Sequence, residues 1–394
     1  MKNTLITLFF ILINSFFVQA QSISDGARIS LLTGSPGTEL YNTFGHSAIR
    51  IKDSRQGLDE VYNYGTFDFR TSNFYVKFAR GKLDYMLSKE TYKQFEAGFR
   101  YENRSVVEQV LNLTFDQKEK LYKLILENYK PENRFYRYDF FFDNCATRIR
   151  DLMTTAFGAE FTYNYPKEWE TSNLTFRNLI DLYLTNHHWS DFGIDLALGL
   201  PTDAVASPSD YMFLPDYLAK GFETASIKRD GEIIPFTKKG VLIIPRKDIE
   251  PSVFMITPLK LMWTLFMIGA FLSYLSFKNA LRIHWFDVLY FNVIGLVGWV
   301  VFLLWFFTDH IATKDNLNLL WAVPVYLPLF FFWNKLSFTF RKWLTLVLGG
   351  INVIILLFWM VFPQHYHIAF IPLILIIIIR FFFLYKELKT NQTM

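Results

Sequence analysis

A chain of 394 residues that is 52% hydrophobic and 19% aromatic, with 43 phenylalanines, is too apolar for an ordinary soluble enzyme. Its net charge of +4 is modest, and no basic cluster interleaved with aromatics marks a nucleic-acid surface. One cysteine, Cys145, excludes an internal disulfide.

Residues 1–20 read as a secretory signal peptide: Lys2 precedes a mostly apolar run, and Val18-Gln19-Ala20 supplies a small-residue cleavage site. From 21 to 250 charged and apolar residues are mixed, which predicts an exported soluble domain, and its strand and helix patterns make it α+β. Residues 29–32 form a short strand and 33–37 a turn-rich loop. Alternation after His46 predicts a second strand, with Ile49 and Ile51 on one face and His46, Ala48 and Arg50 on the other. A polar hairpin turn at 53–59 leads to a strand at 61–65, a helix over 72–86 ended by Gly81, and a strand at 104–113. Thr114 and Gln117 make a capping-box signature for a helix that Pro131 stops.

The segment from Tyr138 to Asp151 follows. Asp143 and Asn144 are good N-cap residues, and Ile149, Leu152 and Ala156 then recur on one helical face. Cys145 therefore falls in the first turn, where free backbone N–H groups and the helix dipole favour a thiolate and can hold an oxyanion. A small buried cysteine is the alternative reading, and a lone His46 is more often structural than catalytic. Taken together, the two residue types form a nucleophile–base pair. Further on, 176–184 and 189–200 read as helical, 212–218 as a short segment, and 232–236 with 241–245 as a hairpin across Lys238-Lys239-Gly240.

Residues 257–385 predict a membrane domain with five apolar segments, at 259–277, 286–307, 317–333, 343–362 and 368–384. With an exported first domain, the first span runs inward. Lys278, Arg282, Lys335, Arg341 and Lys342 then fall on the cytoplasmic side, with Lys386 and Lys389 in a tail at 386–394, while the outer loops carry Lys314. The outer loops also hold Thr308-Asp309-His310, Asn316-Leu317-Asn318 and Gln364-His365-Tyr366-His367, which either cap helix ends or border a site. Arg104, Arg148 and Arg150 offer planar forks of donors for a phosphate, or simple surface pairs. Neither His187-His188 nor His365-Tyr366-His367 has a Cys or carboxylate cluster at zinc-ligand spacing, so no metal is expected.

The order His46 then Cys145, with Asn-Cys at a helix start, resembles the circularly permuted papain-like group that includes lecithin:retinol acyltransferase, whose members shuttle acyl chains through a Cys thioester. A closer resemblance covers most of the chain. Phe44-Gly45-His46-Ser47-Ala48-Ile49-Arg50, the run from Tyr62 to Phe69, the run from Asp139 to Arg148, Met212-Phe213-Leu214-Pro215 and the first outer loop are similar to the family named for the Lnb N-terminal periplasmic domain. That resemblance implies a permuted papain-like periplasmic domain in a multi-pass protein of the bacterial inner membrane. It implies lipoprotein N-acylation with Cys145 as nucleophile and His46 as base, a phospholipid donor, a diacylated lipoprotein acceptor and no cofactor. Asn63 is expected to orient His46, with Asp68 next in line. Asn144, Arg104, Arg148 and His310 are expected to support the site or bind substrate. A membrane-bound cysteine peptidase or amidase, and a non-enzymatic lipid- or lipoprotein-binding module, remain alternatives.

Overall fold

The computed structural model describes residues 22–247, 256–279 and 282–393, and the expected signal peptide lies outside the described residues. Strands β1 (Arg28–Gly34), β2 (His46–Asp53) and β3 (Leu58–Thr66) form an antiparallel meander in which Leu31 faces Ile49 and Ile49 faces Tyr62. A strand's side chains alternate between faces. Ile29, Leu31, Ile49, Ile51, Tyr62 and Tyr64 accordingly enter the main core, and Leu32, Ala48 and Val61 a smaller one behind the sheet.

The chain continues through helix α1 (Phe74–Ala79), β4 (Asp84–Thr91), α2 (Tyr92–Tyr101), β5 (Val106–Val110), α3 (Phe115–Tyr129), β6 (Phe135–Arg137) and α4 (Cys145–Phe157). Then come β7 (Phe161–Thr162), α5 (Lys167–Thr171), α6 (Phe176–Leu184), α7 (His188–Ala197), α8 (Pro215–Thr224), β8 (Ser226–Arg229), β9 (Glu232–Pro235) and β10 (Val241–Ile244). The seven-stranded sheet runs β10-β5-β1-β2-β3-β4-β6, and β7-β8-β9 form a small second sheet. Helix α3 opens on the expected capping box, with Thr114 accepting from the Gln117 amide.

Two local expectations fail. The helix expected over 72–86 is only α1, bracketed by left-handed Asn73 (φ 56°) and Gly81 (φ 67°). Leu83, Tyr85 and Leu87 are buried with a period of two, and that pattern belongs to β4. The expected hairpin of 232–236 with 241–245 does not form: β9 pairs with β8, whereas β10 pairs with β5. Between them Phe236 is fully buried and Thr237 bridges Leu111, which sends the chain from one sheet to the other.

The membrane part comprises α9 (Pro258–Asn279), α10 (His284–Phe306), α11 (Tyr326–Leu329), α12 (Phe338–Leu357) and α13 (Phe370–Thr393). Among the described residues three helices are long and apolar enough to cross a membrane: Pro258–Lys278, His284–Phe306 and Phe338–Leu357. Segment 317–333, expected to be a helical span, is a 3-10 turn at Leu317–Leu320 and the single turn of α11. Pro324 and Pro328 each remove a backbone donor there. The segment is still interior, because Trp321, Tyr326, Phe330 and Trp333 are buried in the core of the helical domain. Gly298 of α10 permits the contact: a Cβ there would lie 2.1 Å from the Ala322 carbonyl oxygen. Helix α13 carries Arg380, Lys386 and Glu387 and runs to Thr393, so the expected tail at 386–394 is helical as far as it is described.

The outer loops cap more than membrane helices. Thr308 and Thr313 donate to the Leu304 carbonyl near the end of α10 at 2.6 and 2.9 Å, but the loop amides reach into the first domain. The Asn316 side-chain amide donates to the Leu196 and Ala197 carbonyls at 2.9 and 3.0 Å, Asn318 to Asp195 at 3.0 Å, and Gln364 to Leu198 at 3.3 Å. These carbonyls lie at the C-terminal end of α7, which as a helix end has acceptors without intrahelical partners. The membrane loops therefore cap a helix of the first domain and hold the two domains together.

Folding also brings carboxylates to the outer-loop histidines, which the sequence spacing does not show. His367 Nε2 is 3.4 Å from Asp191, and Asp181, Asp191 and Asp195 each place an oxygen within 4.8 Å of the others. Burial first, then the charges of Asp195 and Asp191, push the Asp181 carboxyl up to about 7 against the pull of Arg177. The native state then keeps a proton that the unfolded chain releases near pH 4, so stability falls between about pH 4 and about pH 7. Asp181→Asn is expected to raise Tm more at pH 8 than at pH 4, where little of the loss has yet developed; equal gains at both would rule this out.

Candidate active site

The site begins at the N-terminus of α4. Asn144 accepts from the amides of Ala146 and Thr147 at 2.8 and 2.9 Å, and donates to the Phe140 and Phe213 carbonyls at 2.7 and 2.8 Å. Its amide is thus occupied at both ends, so Asn144 is a strut that fixes Cys145 in the first helical turn. The bond to Phe213 gives the Met212-Phe213-Leu214-Pro215 string a structural role.

Helix α4 packs on β2 and β3, which carry His46 and Asn63. His46 Nε2 lies 3.0 Å from Asn63 Oδ1. The Asn63 Nδ2 group donates to Glu90 Oε1 at 3.0 Å, which turns the amide oxygen towards the imidazole. An amide oxygen only accepts, so the proton of neutral His46 sits on Nε2 and Nδ1 is left for the thiol proton. Glu90 escaped the sequence reading because strand β4, which holds it opposite Val61, was not foreseen.

Burial pushes the Cys145 thiol up. The charge of His46, its hydrogen bond, and the backbone N–H groups of Ser47 and Cys145 outweigh that and bring the thiol below its ordinary value. For His46 burial pulls down, but the Cys145 charge and the hydrogen bonds with Cys145 and Asn63 raise it overall. Both directions favour thiolate beside imidazolium. The same two N–H groups lie at the sulfur and can meet an oxyanion formed on a carbonyl attached to it.

Gly65 keeps this space open. Its φ is +84°, and a Cβ there would lie 3.7 Å from Cys145 Cβ, 3.9 Å from the Cys145 amide nitrogen and 3.6 Å from the Tyr138 ring. Gly65→Ala is expected to destabilise by about 1–3 kcal/mol through its left-handed backbone. It should also slow Cys145 modification by a bulky maleimide more than by methyl methanethiosulfonate. Equal slowing of both reagents would count against a steric role.

The other expected residues are dispersed. Asp68 binds Arg70 at 2.7 Å on the surface, which holds its carboxyl down at about 2, and Asn63 is the residue that meets His46. Arg148 pairs with Asp143 and lies 3.6 Å from the Tyr136 ring centre, while Arg150 pairs with Asp151 at 2.7 Å. Arg104 donates to the Ser35 carbonyl and to Glu102, each at 2.8 Å, and its buried Nη2 has no partner among the described residues. Its charge also reaches His46, on which it exerts a downward pull. His310 is bound not at Cys145 but to the Phe78 carbonyl, 3.1 Å from Nε2.

The family description "Lnb N-terminal periplasmic domain" matches residues 16–180, and "Lnb transmembrane domain" matches residues 249–392. Searches of curated proteins and of solved structures returned no match. The first matched region contains His46, Asn63, Glu90 and Cys145, and the second contains the loops that cap α7. Matched in both its soluble and its helical part, the chain belongs to the Lnb family and is a membrane protein with a periplasmic domain.

Proposed function

We propose that this chain is a lipoprotein N-acyltransferase of the bacterial inner membrane. It takes an acyl chain from a membrane phospholipid and delivers it, through a thioester on Cys145, to the α-amine of a diacylglyceryl-cysteine lipoprotein. The observation that carries the reading is the row Cys145–His46–Asn63 in a domain clamped to the outer loops of a membrane domain. A peptidase that needed only a tether gains nothing from a clamp made of side-chain amides on a helix end. An enzyme whose two substrates both keep their acyl chains in the bilayer needs its site held at that surface.

In the first step the Cys145 thiolate attacks the ester carbonyl. The C–S bond forms, the C–O bond breaks, and the leaving alkoxide takes the proton of the His46 imidazolium to depart as a lysophospholipid. In the second step the lipoprotein amine attacks the thioester. The C–N bond forms, the C–S bond breaks, and His46 takes the amine proton, which restores thiolate and imidazolium. The Ser47 and Cys145 amides meet the oxyanion in both steps. Neither step consumes a cofactor, because the thioester retains the acyl-transfer potential of the ester.

Intact-mass spectrometry of a lipoprotein N-terminal peptide tests the reading, in a host depleted of its own N-acyltransferase. The wild-type chain is expected to add one acyl chain to the α-amine, and Cys145→Ala none. If neither adds an acyl chain although both fold and reach the membrane, the reading fails.

A further inference from the structure

We propose that the β3–β4 connection, residues 67–83, seats its aromatic edge in the outer leaflet of the bilayer and leads a lipid acyl chain from there to Cys145. The route rests on the acyl-transfer reading above; the seating does not.

The connection exposes large apolar side chains: Phe69 is 68%, Tyr75 79%, Val76 58% and Phe78 49% accessible. It is bound to the membrane domain where α10 ends. The Asp309 amide donates to the Arg80 carbonyl at 2.9 Å, His310 contacts the Phe78 carbonyl, and Lys82 pairs with Asp309 at 3.9 Å. Phe306 and Phe307, at that helix end, are themselves exposed. The aromatic edge therefore continues the apolar surface of a membrane-spanning helix at the level of the headgroups, where amphipathic aromatic rings are favoured. Lys77, Arg80 and Lys82 are interleaved with it and suit anionic headgroups. Bilayer lipid is the occupant that fits both features.

Behind this edge the rings run inward without a break. Phe69 and Phe67 have centroids 5.0 Å apart, Phe67 and Tyr85 5.3 Å, and Tyr85 stacks on Tyr138 at 4.4 Å. Tyr138 and Cys145 then flank the side-chain-free space at Gly65. An acyl chain lying along this wall keeps apolar contact from the leaflet to the sulfur, while its ester carbonyl ends beside the Cys145 amide.

Spin labels test the seating without any chemistry. Tyr75→Cys and Phe78→Cys are each placed in a Cys145→Ser background, where the label is unique because Cys145 is the one native cysteine. The full chain goes into nanodiscs of phosphatidylethanolamine and phosphatidylglycerol. A water reference is Ser54→Cys, in the exposed turn at the opposite end of β3. Collisions with oxygen are expected to dominate over those with a nickel chelate at 75 and 78, and the reverse at 54. Labels at 75 and 78 that behave like the one at 54 overturn the seating. For the route, Phe69→Ser combined with Phe78→Ser is expected to lower thioester formation from bilayer phospholipid about tenfold, with alkylation of Cys145 by soluble iodoacetamide unchanged. Undiminished thioester formation overturns the route. If the wild-type chain forms no thioester, the transfer reading and the route fall together, and the labels alone decide the seating.

Discussion

Cys145→Ala is expected to end acyl transfer, and His46→Ala to slow it by about 10²–10⁴-fold, the range of a positioned general base. The pH dependence of Cys145 alkylation by iodoacetamide separates this role from mere packing. In the wild-type chain the thiolate forms below the ordinary thiol value of about 8.5, because the His46 charge and two backbone N–H groups outweigh burial. Without His46 burial dominates, so the alkylation midpoint should move above about 8.5. Asn63→Ala removes the acceptor on Nε2 together with the donor to Glu90, and should move it part of the way. Transfer itself should follow a bell-shaped profile. Its alkaline limb lies above the usual imidazole value of about 6.5, since His46 is raised and its proton serves the leaving group. An alkylation midpoint unchanged by His46→Ala would falsify the pairing.

Arg177→Ala is expected to cost about 3–5 kcal/mol of stability, the range for breaking a buried ion pair from one side. The Arg177 side chain is 0% exposed and bonds Asp195 at 2.5 Å, Asp203 at 2.9 Å and the Thr202 hydroxyl at 2.7 Å. Its removal leaves two carboxylates without their counter-charge. The damage should extend to the domain junction, because Arg177 also donates to the Leu198 carbonyl and Asp203 accepts from the His365 amide at 3.2 Å. Arg177→Lys should recover little, since an ammonium cannot span the fork. Thermal unfolding in detergent reads the stability, and limited proteolysis reads the junction. Glu96→Ala, which breaks the exposed pair with Arg100, should change stability by only about 0.3–0.5 kcal/mol. A comparable loss for both variants would mean that burial is not the reason.

What could be read directly from the sequence is what neighbouring residues encode. The cap and periodicity that set Cys145 at the start of α4 span a dozen positions, and α6 runs from Phe176 to Leu184 as its pattern predicts. Asn63 was within reach as well, because it lies 17 residues from His46 across a tight hairpin. Apolar content likewise located the membrane domain, but apolarity specifies burial rather than helicity. Segment 317–333 is therefore interior without being a helix, its two prolines and the close approach of Gly298 deciding its shape.

The tertiary structure alone decided the rest. Glu90 acts on His46 through Asn63 only once β4 lies beside β3, and β9 and β10 separate because Phe236 must be buried between their two sheets. The outer-loop amides look like interfacial polarity until folding brings them to helix-end carbonyls about 120 residues earlier, as with Asn318 and Asp195 at a separation of 123. Capping, periodicity and apolar runs are short-range properties of a chain. The partner of an orphaned carbonyl or amide is chosen by whatever the whole fold places next to it.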